Sequence, residues 1–260
     1  MSDQSYAPLI DRMTWSYSRI KAFEDCPYRF YLKYIRRYPG RDMFFASYGS
    51  FMHHLLELYY KGEKTKRELI TVYLRDYKTQ VVGRAPNEKI YTHYFQDGLR
   101  YLKEFDPFSI KPVEIEKKVS LTLAGHPFIG YIDYLGADNN SLTIIDHKSR
   151  AMKPRSKRKK PTKSDLELDE YLRQLYLYAI AVEKEYGSPP EFLCFNCFRA
   201  QTIIKEPYDQ DTRRKVAEWF ADTIEDIRNE TKFSPDMEYF KCTHLCEMRD
   251  WCEYFELAKW

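Results

Sequence analysis

Apolar residues recur every three or four positions through most of residues 15–112, and this period predicts amphipathic helices. The predicted helices cover about residues 16–34, 49–60, 64–80 and 87–105. The first of them is interrupted at Cys26-Pro27, because proline ends or restarts a helix. Residues 1–14 lack this period, so we expect them to form a loosely structured lead.

From Pro112 onwards the pattern changes to alternation and short apolar runs, which are typical of β-strands. Strands are predicted at about 113–123, on both sides of a turn at 138–140, and at 191–198 and 201–205, with helices at 169–182 and 212–229. We therefore expect a mixed α/β fold in which helices flank a central mixed sheet. Its parts are a helical region (1–112), a core (113–230) and a tail (231–260), and together they form one integrated domain.

The strand pair around the turn at 138–140 carries the most informative polar residues. Asp133 ends an apolar run on its first strand, and Asp146 and Lys148 follow Ile144 and Ile145 on the second. Side chains two residues apart on a strand point the same way, so Asp146 and Lys148 share one face and His147 turns away. Two acids and a lysine at strand ends can hold a divalent metal and an activated water.

The preceding predicted strand contains two further acids that could belong to the same site. Glu114 and Glu116 alternate with Val113, Ile115 and Lys117, so either acid can approach the same site. A role as exposed strand acids is the simpler interpretation.

Overall charge does not identify a partner, because the net charge is only +3, with Lys+Arg 42 against Asp+Glu 39. One local run is strongly basic, however. Residues 153–163 contain seven basic residues and no acid, with two prolines, which predicts a flexible loop. This loop is either a solvated or localisation-like charged segment or a grip for nucleic-acid phosphates, and its start close to Lys148 favours the second interpretation. Its basic residues are Lys153, Arg155, Lys157, Arg158, Lys159, Lys160 and Lys163.

The location of the protein is predicted from what the sequence does not contain. The N-terminus lacks the charged start and apolar middle of a signal peptide, and no apolar run is as long as a membrane span. We therefore expect a cytoplasmic protein without a membrane partner.

Six cysteines in such a chain favour metal binding over a disulfide framework. Cys194 and Cys197 fall on opposite faces of a predicted strand, and core positions are the simpler interpretation for both. Three tail cysteines, Cys242, Cys246 and Cys252, are one ligand short of a four-thiolate site. A ligand from elsewhere in the chain is therefore expected.

Taken in order, several motifs resemble the PD-(D/E)XK nuclease superfamily, in particular its RecB-like and AddB-like branch with a cysteine-bound iron-sulfur cluster. That branch includes CRISPR-associated and phage-encoded exonucleases. The resemblance covers about residues 15–255. The motifs are Ser16-Tyr-Ser-Arg-Ile-Lys-Ala-Phe-Glu-Asp-Cys-Pro-Tyr-Arg-Phe30, Gly49-Ser-Phe-Met-His53 with Glu57, Gly130-Tyr-Ile-Asp133, Ile145-Asp146-His-Lys148, Gln174-Leu-Tyr-Leu-Tyr178 and the tail cysteines.

The resemblance implies a restriction-endonuclease-like core and a Mg²⁺- or Mn²⁺-dependent DNA nuclease, most simply an exonuclease in recombination, repair or phage DNA processing. It implies metal ligation by Asp133, Asp146, His53 and the carbonyl of His147. It assigns water activation to Lys148, and a position beside the site to Gln174 and Tyr178. A rival interpretation is a DNA-binding or assembly module that does not cleave DNA and serves a helicase or integrase partner.

The resemblance also implies a [4Fe-4S] cluster held by Cys26, Cys242, Cys246 and Cys252, and it allows a helicase or recombination partner and a homo-oligomer. The sequence departs from the family pattern at two places. Asp146 stands where the family commonly has Glu, and both acids suit hard cations. Three residues rather than two separate the first two tail cysteines, which leaves zinc as an alternative to the cluster and His244 as a substitute ligand.

Overall fold

The computed structural model describes residues 5–139 and 141–259. In chain order, its first part contains α1 (Ala7–Ile10), α2 (Tyr17–Asp25), α3 (Pro27–Phe30) with a π-helical continuation (Tyr31–Ile35), α4 (Phe44–Tyr60), α5 (Lys66–Gln80) and α6 (Glu88–Glu104). The second part contains β1 (Lys111–Leu123), β2 (His126–Asp138), β3 (Ser141–Lys148), α7 (Lys163–Tyr186), β4 (Phe192–Cys197), β5 (Thr202–Pro207) and α8 (Gln210–Asn229). The tail contains α9 (Tyr239–His244) and 3-10 segments at Arg249–Trp251 and Phe255–Lys259.

The centre of the fold is a five-stranded sheet in the order β1-β2-β3-β4-β5. All neighbouring strands are antiparallel except β3 and β4, which are parallel. A parallel pair needs a long crossover, and α7 is part of the one that joins these two strands. The predicted fold, a mixed sheet flanked by helices, is confirmed.

Helix α7 lies against the sheet and is long enough to place several side chains at the strand ends. Thr162 caps its first turn in a capping box with Asp165, as the sequence pattern of such boxes requires. The helix comes close to β2 at Gly130, where a Cβ atom would lie 2.3 Å from Cε1 of Tyr178. The glycine therefore allows the approach that brings Tyr178 and Gln174 to the strands.

Two large hydrophobic cores hold the layers together. One lies between the sheet and α2, α7 and α8 and includes the fully buried Trp15, Phe128 and Phe220. The other lies within α4, α5 and α6 and is rich in aromatic rings, including Tyr48 and Tyr73. The high aromatic content of the sequence is thus used largely in packing between helices.

The structure differs from the sequence-based boundaries in the lead and at the start of α4. The lead contains the short helix α1, although residues 1–14 were expected to be loosely structured. Helix α4 begins at Phe44, five residues before the predicted start at Gly49. The predicted turn includes Asn140, which lies outside the described residues. Within the described ranges, no helix has both the length and the apolar character to cross a bilayer.

Replacement of Gly98 in α6 by alanine should destabilise the protein, because its Cβ would lie 2.4 Å from the Tyr73 hydroxyl and 2.8 Å from that of Tyr48. Both rings are fully buried, so we expect a loss of about 1–3 kcal/mol in the free energy of unfolding. Gly49→Ala in α4 is the matched control, since its nearest atom is 3.8 Å away and alanine favours helix. Urea denaturation should show opposite signs for the two variants, and equal signs would contradict the packing argument.

Candidate active site

Asp133 and Asp146 meet where β2 and β3 separate. The backbone pairing of these strands ends at Tyr134 and Ile145, and each aspartate is the next residue beyond that pair. Since the strands no longer bond each other there, the backbone N–H of His147 donates to Oδ2 of Asp133 at 2.6 Å. Both carboxyl groups are buried, with 8% of Asp133 and 3% of Asp146 exposed.

Glu116 brings a third carboxylate to the same level of the sheet. It lies on β1 between the pairs Ile115–Tyr134 and Lys117–Ile132, opposite Asp133. Its φ of 53° is in the left-handed region, which a side chain other than glycine, asparagine or aspartate seldom adopts. Such backbone strain is often found at functional sites.

His53 approaches the carboxylates from α4. Its Nδ1 atom lies 3.4 Å from Oδ2 of Asp133. One ligand atom each from His53, Glu116 and Asp133 lies within 4.8 Å of the others, and among the described residues this is the group suited to hold a metal ion. An imidazole and carboxylate oxygens suit Mn²⁺ and Mg²⁺.

Lys148 is held beside the acids by a chain of hydrogen bonds from α7. Its Nζ lies 2.8 Å from Oδ2 of Asp146 and donates to Oε1 of Gln174 at 2.8 Å. The Gln174 amide nitrogen contacts Oδ1 of Asp146 and the hydroxyl of Tyr178, each at 3.0 Å. A single glutamine therefore fixes the lysine, the acid and the tyrosine relative to one another.

The electrostatics of the site separate the two aspartates. Burial alone would raise the pKa of Asp133, but the charge and hydrogen bond of His53 outweigh it and lower this pKa to about 2. Burial likewise opposes a charge on His53, yet Asp133 raises its pKa to about 9. For Asp146, burial is the larger effect and raises the pKa against the opposing charge of Lys148. Burial, followed by repulsion from Asp133, raises the pKa of Glu116 to about 7.

The raised pKa values of Asp146 and Glu116 share one physical origin. Several carboxylates are crowded into a buried space with too little positive charge to balance them. A divalent cation is the kind of group that would stabilise all of them in the charged form.

The His147 side chain lies outside the group that the acids form. Its ring stacks on Tyr60 and Phe108 at centroid distances of 6.1 and 6.0 Å, and Nδ1 lies 3.0 Å from the amide nitrogen of Asn196. Burial lowers the pKa of His147 to about 4, so the ring is neutral near pH 7.

The basic loop of residues 153–163 begins a few residues after Lys148. The Asp165 carboxylate accepts hydrogen bonds from backbone and side-chain groups of Ser156 and Thr162, which closes the loop at its base. All seven of its basic residues are exposed. Arg155 differs in its contacts, because it lies 2.6 Å from Asp169 and 2.7 Å from Glu206, so two carboxylates already balance its charge. The other six are Lys153, Lys157, Arg158, Lys159, Lys160 and Lys163.

Four of the six cysteines come together although they are far apart in the sequence. Cys26, at the start of α3, and the tail residues Cys242, Cys246 and Cys252 all line a cavity of about 790 Å³. The Cys26 sulfur accepts backbone N–H groups of Arg29 and Asp236 at 3.4 Å each. Cys194 and Cys197, by contrast, are buried core residues.

Ion pairs also attach the tail to the N-terminal helices. Glu247 contacts Arg29 at 2.7 Å and Lys33 at 2.6 Å, so an ion-pair network joins the tail to α3 and its π-helical continuation. Half-buried pairs with several hydrogen bonds hold better than isolated surface pairs.

Glu116 is the residue whose part in the site the sequence analysis underestimated. It was interpreted most simply as an exposed strand acid, whereas its carboxylate stands beside the His53 imidazole and the Asp133 carboxylate. The one available signal was its alternation with Ile115 and Lys117, which indicates a face but not the backbone turn at Glu116.

A family model of the PD-(D/E)XK nuclease superfamily matches residues 14–253. The chain therefore belongs to this superfamily, whose members typically use divalent metal ions. No curated protein sequence is detectably similar to it.

A solved structure agrees with this assignment at the level of the fold. This chain is similar to the structure of a protein from Eubacterium rectale described as "Putative exonuclease", with a TM-score of 0.54 and 13% identity. The match covers 96% of this chain and 92% of that protein. At this identity the likeness shows a shared fold.

Proposed function

We propose that this protein is a Mg²⁺- or Mn²⁺-dependent DNA nuclease of the RecB-like type, acting as an exonuclease in recombination, repair or phage DNA processing. The observation that carries the proposal is the convergence of His53, Glu116 and Asp133 on one potential metal position, with Asp146 and Lys148 beside them. Superfamily membership and the fold of the structural neighbour support it.

The residues present fit the metal that such chemistry needs. Asp133 and Asp146 are buried, and Glu116 and Asp133 each offer an oxygen within 4.8 Å of a His53 ring nitrogen. We propose His53, Glu116, Asp133 and Asp146, with the His147 carbonyl, as the candidate ligands. When bound, the metal shields phosphate charge and lowers the pKa of water.

The remaining residues have roles that follow from their contacts. The Lys148 ammonium is fixed by Asp146 and Gln174, so it can orient an attacking water and offset charge on the phosphate. Gln174 and Tyr178 act as positioning residues, since Gln174 donates to both Asp146 and the Tyr178 hydroxyl. The exposed lysines and arginine of the basic loop supply phosphate contacts without base recognition, which predicts steep salt dependence and little sequence preference.

The proposal is tested with DNA strands labelled separately at the 5' and the 3' end, single-stranded and duplex. Purified protein is incubated with Mg²⁺, Mn²⁺ or EDTA, and we expect cleavage with either metal and none with EDTA. Stepwise shortening from one end would support an exonuclease, and internal cuts would overturn that part. Salt-dependent binding without cleavage in either metal would instead support the rival DNA-binding module.

We further propose that Cys26, Cys242, Cys246 and Cys252 hold a [4Fe-4S] cluster that attaches the tail to the N-terminal helices. The four cysteines line one cavity, although Cys26 is far from the other three in the sequence. This convergence supports a bound group shared by all four.

A further inference from the structure

A second polar cavity lies at the start of α4, away from the acids and the cysteines. Its volume is about 330 Å³. The side chains that line it come from four separate segments of the chain, and basic residues dominate among them. They are Arg41, Asp42, Met43, Arg84, Pro86, Tyr239, Thr243, His244 and Arg249. The name arginine pocket is used below for this cavity.

The positive charge of the arginine pocket is only partly balanced. Arg41 is paired with Asp250 at 2.9 Å. Within residues 5–139 and 141–259, no carboxylate forms an ion pair with Arg84 or Arg249, and Asp42 is the acid that lines the cavity. Arg249 instead donates to the Thr243 carbonyl at 3.3 Å and lies over the Phe255 ring. Two guanidinium groups therefore remain available to an anion.

The tail residues Thr243 and His244 supply further polar groups to the arginine pocket. The nearby Thr243 hydroxyl oxygen is buried and has no hydrogen-bond partner among the described residues. A buried hydroxyl without a partner is costly unless a ligand or water supplies one.

The backbone at the start of α4 also favours the binding of an anion. Helix α4 has 17 residues, and its N-cap residue Met43 has no side chain that can accept from the first turn. Gly83, with a φ of 86°, packs so closely on that turn that a Cβ would lie 2.6 Å from the Phe44 nitrogen. This contact places Arg84 beside the positive end of the helix, where anions are favoured.

A groove along α4 begins close to the arginine pocket and reaches the active site. An open groove of about 490 Å³ begins at Phe45, passes Gly49 and Ser50, and reaches His53 and Glu116. The Phe45 ring also contacts Phe240, next to Tyr239 of the pocket. From Met43 to His53 the helix rises on the order of 15 Å.

We propose that the arginine pocket binds a backbone phosphate of the DNA strand whose scissile bond lies at the acids. The groove along α4 carries the nucleotides between the two points. The separation corresponds to about four nucleotides at the 3.4 Å rise of a B-form strand, and to fewer when the strand is extended. The pocket would thus hold the substrate at a fixed distance from the bond that is cut. This inference rests on the proposed nuclease function.

The first test measures binding of a fluorescein-labelled single strand in EDTA, where no metal-dependent cleavage occurs. Fluorescence anisotropy is followed between about 50 and 200 mM salt for wild type and Arg84→Ala. Arg84 is exposed and has no ion-pair partner in the described part of the chain, so its loss should leave the fold intact. It should also reduce the slope of log K against log salt by about 0.7, the value for one phosphate contact. Arg84→Glu should reduce binding further.

Arg67→Ala is the matched control, since Arg67 is exposed on α5 and lines neither the pocket nor the groove. It should keep the wild-type slope. A wild-type slope in Arg84→Ala would overturn the proposal. A slope that falls equally in both variants would also overturn it, because it would indicate general surface charge.

The second test replaces single phosphates of the strand by neutral methylphosphonates. For wild type we expect one position, a few nucleotides from the strand end, at which this change weakens binding by about 10-fold. Arg84→Ala should have lost sensitivity at that position alone. Uniform sensitivity along the strand, unchanged by the substitution, would contradict a defined pocket.

The outcomes for the two proposals are distinct, because neither binding test requires cleavage. Binding with the predicted slope but no cleavage in Mg²⁺ or Mn²⁺ would contradict the nuclease proposal and support the pocket proposal. Cleavage by the wild type, together with an unchanged salt slope in Arg84→Ala, would contradict the pocket proposal and support the nuclease proposal.

Discussion

The Asp133→Asn variant should lose metal-dependent DNA cleavage, with kcat/KM lowered by at least about 10³-fold, or on the order of 4 kcal/mol of transition-state stabilisation. Asp133 is the centre of the site, since it contacts His53, accepts from the His147 backbone and stands with Glu116 at the potential metal position. An asparagine keeps the shape but removes the charge, so Mn²⁺ should bind far more weakly in calorimetry.

Asp138→Asn is the control, because this acid is exposed at the end of the same strand. It should cleave DNA and bind Mn²⁺ as wild type does. Lys148→Ala provides a second comparison, since it should lower kcat strongly while retaining Mn²⁺ affinity. Cleavage by Asp133→Asn at a rate within 10-fold of wild type would show that the reaction takes place elsewhere.

The Cys26→Ser variant should lose bound iron, together with the brown colour that we expect of anaerobically purified wild-type protein. Cys26 is the one proposed ligand outside the tail, so its loss disconnects the cluster from the N-terminal helices. Cluster binding contributes to folding, and we therefore expect lower solubility and a lower melting temperature as well. Iron analysis, visible absorption and its bleaching on reduction measure the result.

Cys194→Ala is the matched control, because Cys194 is buried in the core and lies outside the cavity of the four cysteines. It should retain iron and colour, whatever its effect on stability. Wild-type protein that contains zinc and no iron would overturn the cluster assignment. The nuclease proposal would stand in that case, since it depends on other residues.

The hydrophobic pattern was sufficient to predict the mixed α/β fold, because helices and strands bury one face with different periods. It also singled out Asp146 and Lys148, since two-residue spacing on a strand places them on one face. Pairing across the sheet was harder to predict. The separation of β2 and β3 after Tyr134 and Ile145 exposes the His147 N–H to Asp133, and no local sequence signal encodes it.

Other parts of the site depend on contacts between distant segments. Glu116 reaches Asp133 through a left-handed backbone conformation that β-strand alternation does not indicate. Arg155 belongs to a run that predicts phosphate binding, yet Glu206 on β5 and Asp169 on α7 balance its charge. The arginine pocket combines residues from four segments, none of which is a motif alone.

The tail connects the proposed iron-sulfur cluster with the proposed binding site for a DNA phosphate. Thr243 and His244 lie between Cys242 and Cys246, and Arg249 lies between Cys246 and Cys252. The segment that would be fixed by the cluster is therefore also one wall of the arginine pocket. Two ligands that order the same segment are thermodynamically linked, so each raises the affinity for the other by the same factor. An oxidant that destroyed the cluster would then act as an inhibitor of DNA binding without touching the acids that cut it.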